Sequence, residues 1–110
     1  MKRFCLSLAI VTLSLFMSLG ASYAAPPHVA VIVKATDPDF WQYVLIGANN
    51  YAVEHPDVVE LTTHGAVFET EVEAQVAILE EVIESAPDAI VLAPADFEAL
   101  SPGVEKAMNR

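Results

Sequence analysis

Val29-Ala30-Val31-Ile32-Val33 is the stretch that decides the fold. It is a run of β-branched and small apolar residues without polar alternation, the pattern of a strand covered on both faces. Strands of that kind belong to parallel sheets, whose connections must be long crossovers, usually helices. The next residues meet that demand. Lys34-Ala35-Thr36-Asp37-Pro38-Asp39 reads as a turn, and a helix is expected from about Phe40 to Glu54. Trp41, Val44, Leu45, Ala48 and Ala52 line one face of it. Asp37 or Asp39 is placed to cap its first amides, and Pro38 suits a first-turn position. His55-Pro56 ends it, because a residue before proline is pushed out of helical dihedrals.

The alternation repeats twice more. Val58 to Thr63 is expected to form a second strand, more polar and so nearer a sheet edge, with His64 to Phe68 as the following loop. Thr70 and Glu73 have the spacing of a capping box and open a helix that runs to Ser85. Val72, Val76, Leu79 and Ile83 form its apolar stripe, and Glu71, Glu73, Glu80, Glu81 and Glu84 its solvated side. Burying that stripe is worth roughly 6–12 kcal/mol gross, at about 1.5–3 per side chain. Pro87-Asp88 breaks the helix, and Ala89-Ile90-Val91-Leu92 reads as a third buried strand. After Ala93-Pro94-Ala95-Asp96, a last helix turns Phe97, Leu100, Val104 and Ala107 inward, restarted or kinked at Pro102. The expected fold is α/β: a three-layer α/β/α arrangement with a parallel sheet, β-α-β-α-β-α, and right-handed crossovers. A fourth strand is expected beyond Arg110, so the sheet reads as an incomplete lobe with exposed strand edges.

Upstream of the first strand, the sequence has another character. Met1-Lys2-Arg3 is basic, Phe4 to Leu19 is almost wholly apolar, and Ser22-Tyr23-Ala24 puts small residues where a signal peptidase needs them. Residues 1–24 are therefore read as a cleavable signal peptide and 25–110 as the exported domain. The apolar run is shorter than the roughly 20 residues a membrane span needs. The only cysteine, Cys5, lies in the leader, which leaves the exported domain without disulfide or thiol chemistry.

Charge narrows the partners. Five Lys and Arg stand against fifteen Asp and Glu, a formal charge of −10, and losing Lys2 and Arg3 with the leader makes it −12. Such a surface repels phosphate backbones, so nucleic acid is not an expected partner. Enzyme chemistry finds no support either. No Gly-rich phosphate loop follows a buried strand, and no Ser or Thr sits in a recognisable nucleophile motif. No cofactor is called for. His28, His55 and His64 lack metal-ligand spacing and read as surface residues, and Glu69 with Glu71 does not make a twelve-residue calcium loop.

Pattern alone points to one place for a ligand. In an open parallel sheet, ligands sit beyond the carboxyl ends of the strands, where the strand order reverses. With the first strand central the order is 2-1-3, and the reversal lies between strands one and three. The loops there are Lys34–Trp41 and Ala93–Phe97, both carrying carboxylates and aromatics at a helix start.

At these loops the sequence also resembles a known family. Val29 to Lys34, Asp37-Pro38-Asp39-Phe40-Trp41, Gly47-Ala48, Asp88 to Asp96, Ala99-Leu100 and Val104-Glu105-Lys106-Ala107 recur in order. Together they resemble the start of periplasmic sugar-binding proteins, the ribose-binding-like type I solute receptors of ABC transporters. Family members have two lobes joined by a hinge and clamp a sugar between them; the residues here correspond to the first part of the N-terminal lobe. The resemblance implies an exported, periplasmic protein whose ligand is a monosaccharide or similar small polar molecule and whose partner is an ABC transporter permease. It assigns Asp37, Phe40 and Trp41 to the sugar at the first mouth, and Asp96 as a hydroxyl acceptor at the second. An aromatic face suits the C–H face of a sugar ring, and a carboxylate can accept two hydroxyl hydrogen bonds. The family's Asn-Pro-x-Asp turn appears as Ala93-Pro94-Ala95-Asp96, so Ala93 brings no side-chain hydrogen bond.

Each of these residues has a plainer role open to it. Phe40 and Trp41 fit a core or a hydrophobic staple at the helix start. Asp39 and Asp96 fit helix caps, Asp37 a solvated turn, and Lys34 a solvated strand end or a residue facing ligand. Two other functional classes stand beside transport: a periplasmic ligand-sensing component of a signalling system, and an inactive truncated product. A clamp works by closing two half-sites, and binding must first offset lost rigid-body freedom. One half-site by itself is therefore expected to bind sugars no better than millimolar.

Overall fold

The computed structural model describes residues 23–110, so the leader reading, with Cys5, falls almost wholly outside the described residues. Six elements alternate along the chain: β1 (His28–Val33), α1 (Asp39–Glu54), β2 (Glu60–Gly65), α2 (Val72–Glu84), β3 (Ala89–Leu92) and α3 (Phe97–Met108). The strands form one parallel sheet in the order β2-β1-β3. The Val29–Val33 run lies in the central strand. It pairs on one side from His28 with Glu60 to Val33 with Gly65, and on the other from Val29 with Ala89 to Ile32 with Leu92.

Strand side chains alternate, so this register sorts the sheet into two faces. Ala30 and Ile32 share one with Ile90 and Leu92; Val29 and Val31 share the other with Leu61, Ala89 and Val91. To travel from β2 to β3, α2 has to cross over β1, and it lands on the first face. There Ala30 and Ile32 are buried with Leu79, Val82 and Ile83 of α2 and Leu100 of α3. The two helices touch closely at Gly103, where a Cβ would stand 2.6 Å from Leu79 Cδ2. Lys106 of α3 pairs with Glu80 of α2 on the outside.

On the second face lies α1, packed toward β2. Trp41, Leu45, Ala48 and Ala52 turn to the sheet as expected but are only half-buried, and Val44 is exposed. No α1 residue is fully buried. The β3 half of that face is open, with Val91 54% exposed. The third strand is thus covered on one face rather than two.

Local differences from the sequence reading have local causes. The second strand starts two residues later than expected, because Val58 and Val59 donate their amides back to the His55 carbonyl and prolong the turn. His64 and Gly65 consequently belong to β2 instead of the loop. Thr70 and Glu73 form no capping box: Glu71 is the N-cap, and its Oε2 accepts from the Phe68 amide, closing the preceding turn. Neither Asp37 nor Asp39 caps α1; Pro38 occupies the N-cap and Asp39 the first turn. Pro102 does not restart α3, which runs unbroken from Phe97 to Met108. Phe97, expected inward, is 80% exposed at the first position of α3, and Val104 is also exposed. His28 and His64, expected on the surface, are half-buried strand residues that both hydrogen-bond Thr62 Oγ1, at 2.9 and 3.1 Å.

Candidate functional site

All three strands run the same way, so every β–α loop leaves from one edge of the sheet. The first mouth is the loop from Lys34 into α1, and the second is the loop from Ala93 into α3. Asp37, Phe40 and Trp41 therefore share an edge with Asp96, flanking the point where the strand order reverses. Both mouths sit where the sequence placed them.

At the first mouth the backbone is strapped to its neighbour. The Thr36 amide donates to the Ala66 carbonyl at 2.8 Å and the Asp37 amide to the Val67 carbonyl at 3.1 Å, extending the β1–β2 pairing past the sheet. Gly65 makes this approach possible. A Cβ at that position would lie 2.9 Å from Val33 Cγ2 and 3.1 Å from Thr36 Cγ2. The strap leaves the Asp37 side chain exposed beside the site.

The aromatic pair follows at the start of α1. Phe40 and Trp41 meet edge to face, with centroids 4.8 Å apart and planes at 84°. Phe40 is 65% exposed and Trp41 half-buried, so neither is a core residue. The Trp41 indole N–H donates to Glu69 Oε1 at 2.7 Å, which fixes the ring relative to the β2–α2 loop. Sequence reasoning missed this contact. The partners are 28 residues apart, and no local periodicity links them. Each of the three loops also presents an exposed phenylalanine to this edge: Phe40, Phe68 and Phe97.

The second mouth is built by a helix cap. Asp96 has extended backbone dihedrals and is the N-cap of α3, with Oδ1 accepting from the Ala99 amide at 2.8 Å. The cap uses one carboxylate oxygen, and the residue is exposed. Capping and ligand binding are compatible here, because a carboxylate has a second oxygen to offer.

Between the mouths lies a residue the sequence reading passed over. Gln75 of α2 is 0% exposed, the one fully buried polar side chain among the described residues. Its Nε2 donates to the Val33 carbonyl at 3.0 Å and the Ala93 carbonyl at 2.9 Å, and its Oε1 accepts from the Ala95 amide at 2.6 Å. The signal was available: position 75 falls three after Val72 and four before Leu79, inside the apolar stripe. A glutamine there must find buried partners.

Among the described residues, no group of three or more His, Cys, Asp or Glu side chains is placed to hold a metal ion. No described helix is long and apolar enough to cross a membrane.

A family model described as a periplasmic binding protein domain matches residues 29–110. The chain belongs to that family. A D-ribose/D-allose-binding protein of Pseudomonas aeruginosa is 35% identical over 98% of this chain and 35% of its own length. Two solved structures of transporter solute-binding proteins are also similar. One, from Burkholderia multivorans, carries an unknown ligand built as α-D-erythrofuranose; it is 40% identical, with a TM-score of 0.76 over 78% of this chain and 30% of its own. The other, from Agrobacterium radiobacter, is in complex with D-arabinose; it is 36% identical, with a TM-score of 0.71 over 77% of this chain and 28% of its own. This periplasmic binding protein chain spans about a third of the length of the relatives it matches.

Proposed function

We propose that this chain carries one side of the sugar site of an exported solute-binding protein that delivers a monosaccharide to an ABC transporter permease in the periplasm. One observation carries the reading: the aromatic mouth and the acidic mouth open on the same edge of the sheet, on either side of the strand-order reversal. Two relatives support it: one is a D-ribose/D-allose-binding protein, and another is a carbohydrate transporter solute-binding protein in complex with D-arabinose. In this reading Phe40 and Trp41 offer ring faces to sugar C–H groups, and Asp37 and Asp96 accept hydroxyl hydrogen bonds. The Glu69 bond holds the Trp41 ring at a set angle before ligand arrives, which lowers the ordering cost of binding.

An NMR titration of the chain with D-ribose and D-arabinose tests the proposal. Shifts are expected at the Trp41 indole N–H and at the amides of Asp37 and Asp96, with half-saturation in the millimolar range. One side of a clamp supplies part of the hydrogen bonds and little exclusion of water, while the cost of lost rigid-body freedom is undiminished. Shifts confined to another edge of the sheet would refute the site, and micromolar affinity would refute the half-clamp argument.

A further inference from the structure

We infer that Gln75 is a positioning residue that sets the spacing between the two mouths, and so the geometry in which a sugar meets Asp96 on one side and the Trp41 loop on the other. The inference rests on the sugar-site reading for its consequence, but its structural core stands on its own. Val33 is the last residue of β1, and its carbonyl is the point from which the first mouth departs. Ala93 and Ala95 flank Pro94 in the second mouth, immediately before the Asp96 cap. One buried amide group holds all three.

Its chemistry suits that task better than any other side chain would. Two of the partners are carbonyls and the third is an N–H, so the site needs two donors and one acceptor in a single plane. A primary amide supplies this set, and the partners dictate which end is oxygen. Met has similar length and can make none of these bonds; Glu keeps the acceptor and, as the neutral acid that burial favours, has one donor where two are needed. Pro94 contributes no amide, so the loop has few other ways to be held. Ala93 reaches β1 through its own amide, which donates to the Ile32 carbonyl at 2.9 Å. Ala95 has Gln75.

The test uses the full chain and begins with amide hydrogen exchange in the wild type. The Ala95 amide, although in a loop, is expected to be protected to the level of core amides such as Leu79 and Ile83. Exchange at the rate of an open loop would overturn the inference before any variant is made. In Gln75→Glu, Ala95 should keep its protection while one of the two carbonyl anchors, at Val33 or Ala93, loosens, because a neutral carboxyl has one donor in place of two. In Gln75→Met the Ala93 and Ala95 amides should both exchange on the order of tenfold faster or more, with Leu79 and Ile83 little changed. A uniform loss of protection in both variants, core included, would mark Gln75 as a general stability residue and overturn the positioning role.

The ligand arm separates this inference from the reading it rests on. With D-ribose or D-arabinose at millimolar concentration, Gln75→Met should weaken the shifts at Asp96 and Trp41 on the order of tenfold in affinity. Unchanged affinity in a variant with loosened mouths would overturn the role. If the wild type itself shows no sugar-dependent shifts, the sugar reading fails, while the exchange pattern still decides whether Gln75 couples the mouths.

Discussion

Replacing Gly103 by alanine tests whether α3, with the Asp96 cap at its start, is positioned by close contact with α2. The added Cβ would stand 2.6 Å from Leu79 Cδ2 and 3.2 Å from its Cγ. Carbon atoms in contact sit roughly 3.5–4.0 Å apart, so the closest pair must separate by about 1 Å. Leu79 is 2% exposed and belongs to the same core cluster as Ile32, Ile83 and Leu100, so moving its end disturbs contacts across the core. Overpacking of this kind costs about 1–3 kcal/mol. Against it, Ala in place of Gly within a helix returns about 0.8–1.0 kcal/mol. The expected balance is a loss of roughly 1 kcal/mol, a fall in Tm of about 4–8 °C for a domain of this size. Circular dichroism melts with matched urea titrations measure it. A double-mutant cycle with Leu79→Ala sharpens the result. That change alone should cost about 2–5 kcal/mol, and less in the Gly103→Ala background, where the new methyl fills part of the cavity. A Gly103→Ala protein stabilised by the full helix-propensity gain, or a cycle that is strictly additive, would refute the reasoning.

Asp96→Ala should cost about 0.5–2 kcal/mol through loss of the α3 cap, whereas Asp96→Asn retains an oxygen acceptor and should melt within a few degrees of wild type; the Asn variant then isolates the effect of charge on the sugar titration. Trp41 is the sole tryptophan, so intrinsic fluorescence reports on the first mouth alone. Glu69→Ala should change its emission, Glu69→Gln should largely preserve it, and neither should cost more than about 1 kcal/mol at this exposed position. Ala86, just past the end of α2, has φ 53°, a left-handed conformation that favours glycine. Ala86→Gly should therefore stabilise by about 0.5–1 kcal/mol, seen as a raised melting midpoint.

Where expectation and structure parted, some causes were local competitions for a backbone amide and others were contacts between distant loops. The doubly covered first strand, the parallel alternation and the three helices were legible because their signals are local: an unalternating β-branched run, apolar stripes at helical spacing, prolines at the breaks. Phe97 was misplaced because helical spacing gives a stripe but not the rotation of a short helix whose first residue projects past the sheet. The Thr70–Glu73 box failed because Glu71 found a nearer amide, that of Phe68, to satisfy. Glu69 was invisible as a partner of Trp41, since only the strapping of two loops brings them together.

Residue order alone determined that this is a parallel α/β unit and that ligand-type side chains gather after β1 and β3. Both follow from unalternating apolar runs, from apolar stripes of period 3.6 and from the handedness of crossovers, which act over short stretches of chain. That β1 is the central strand is set by its pairing on both sides. Only the tertiary structure decided which of those side chains are held and by what. The tilt of Trp41 and the burial of Gln75 between two strand ends both depend on groups distant in sequence arriving within hydrogen-bonding range. A buried polar group is stable only where every partner is in place, and no local pattern encodes that.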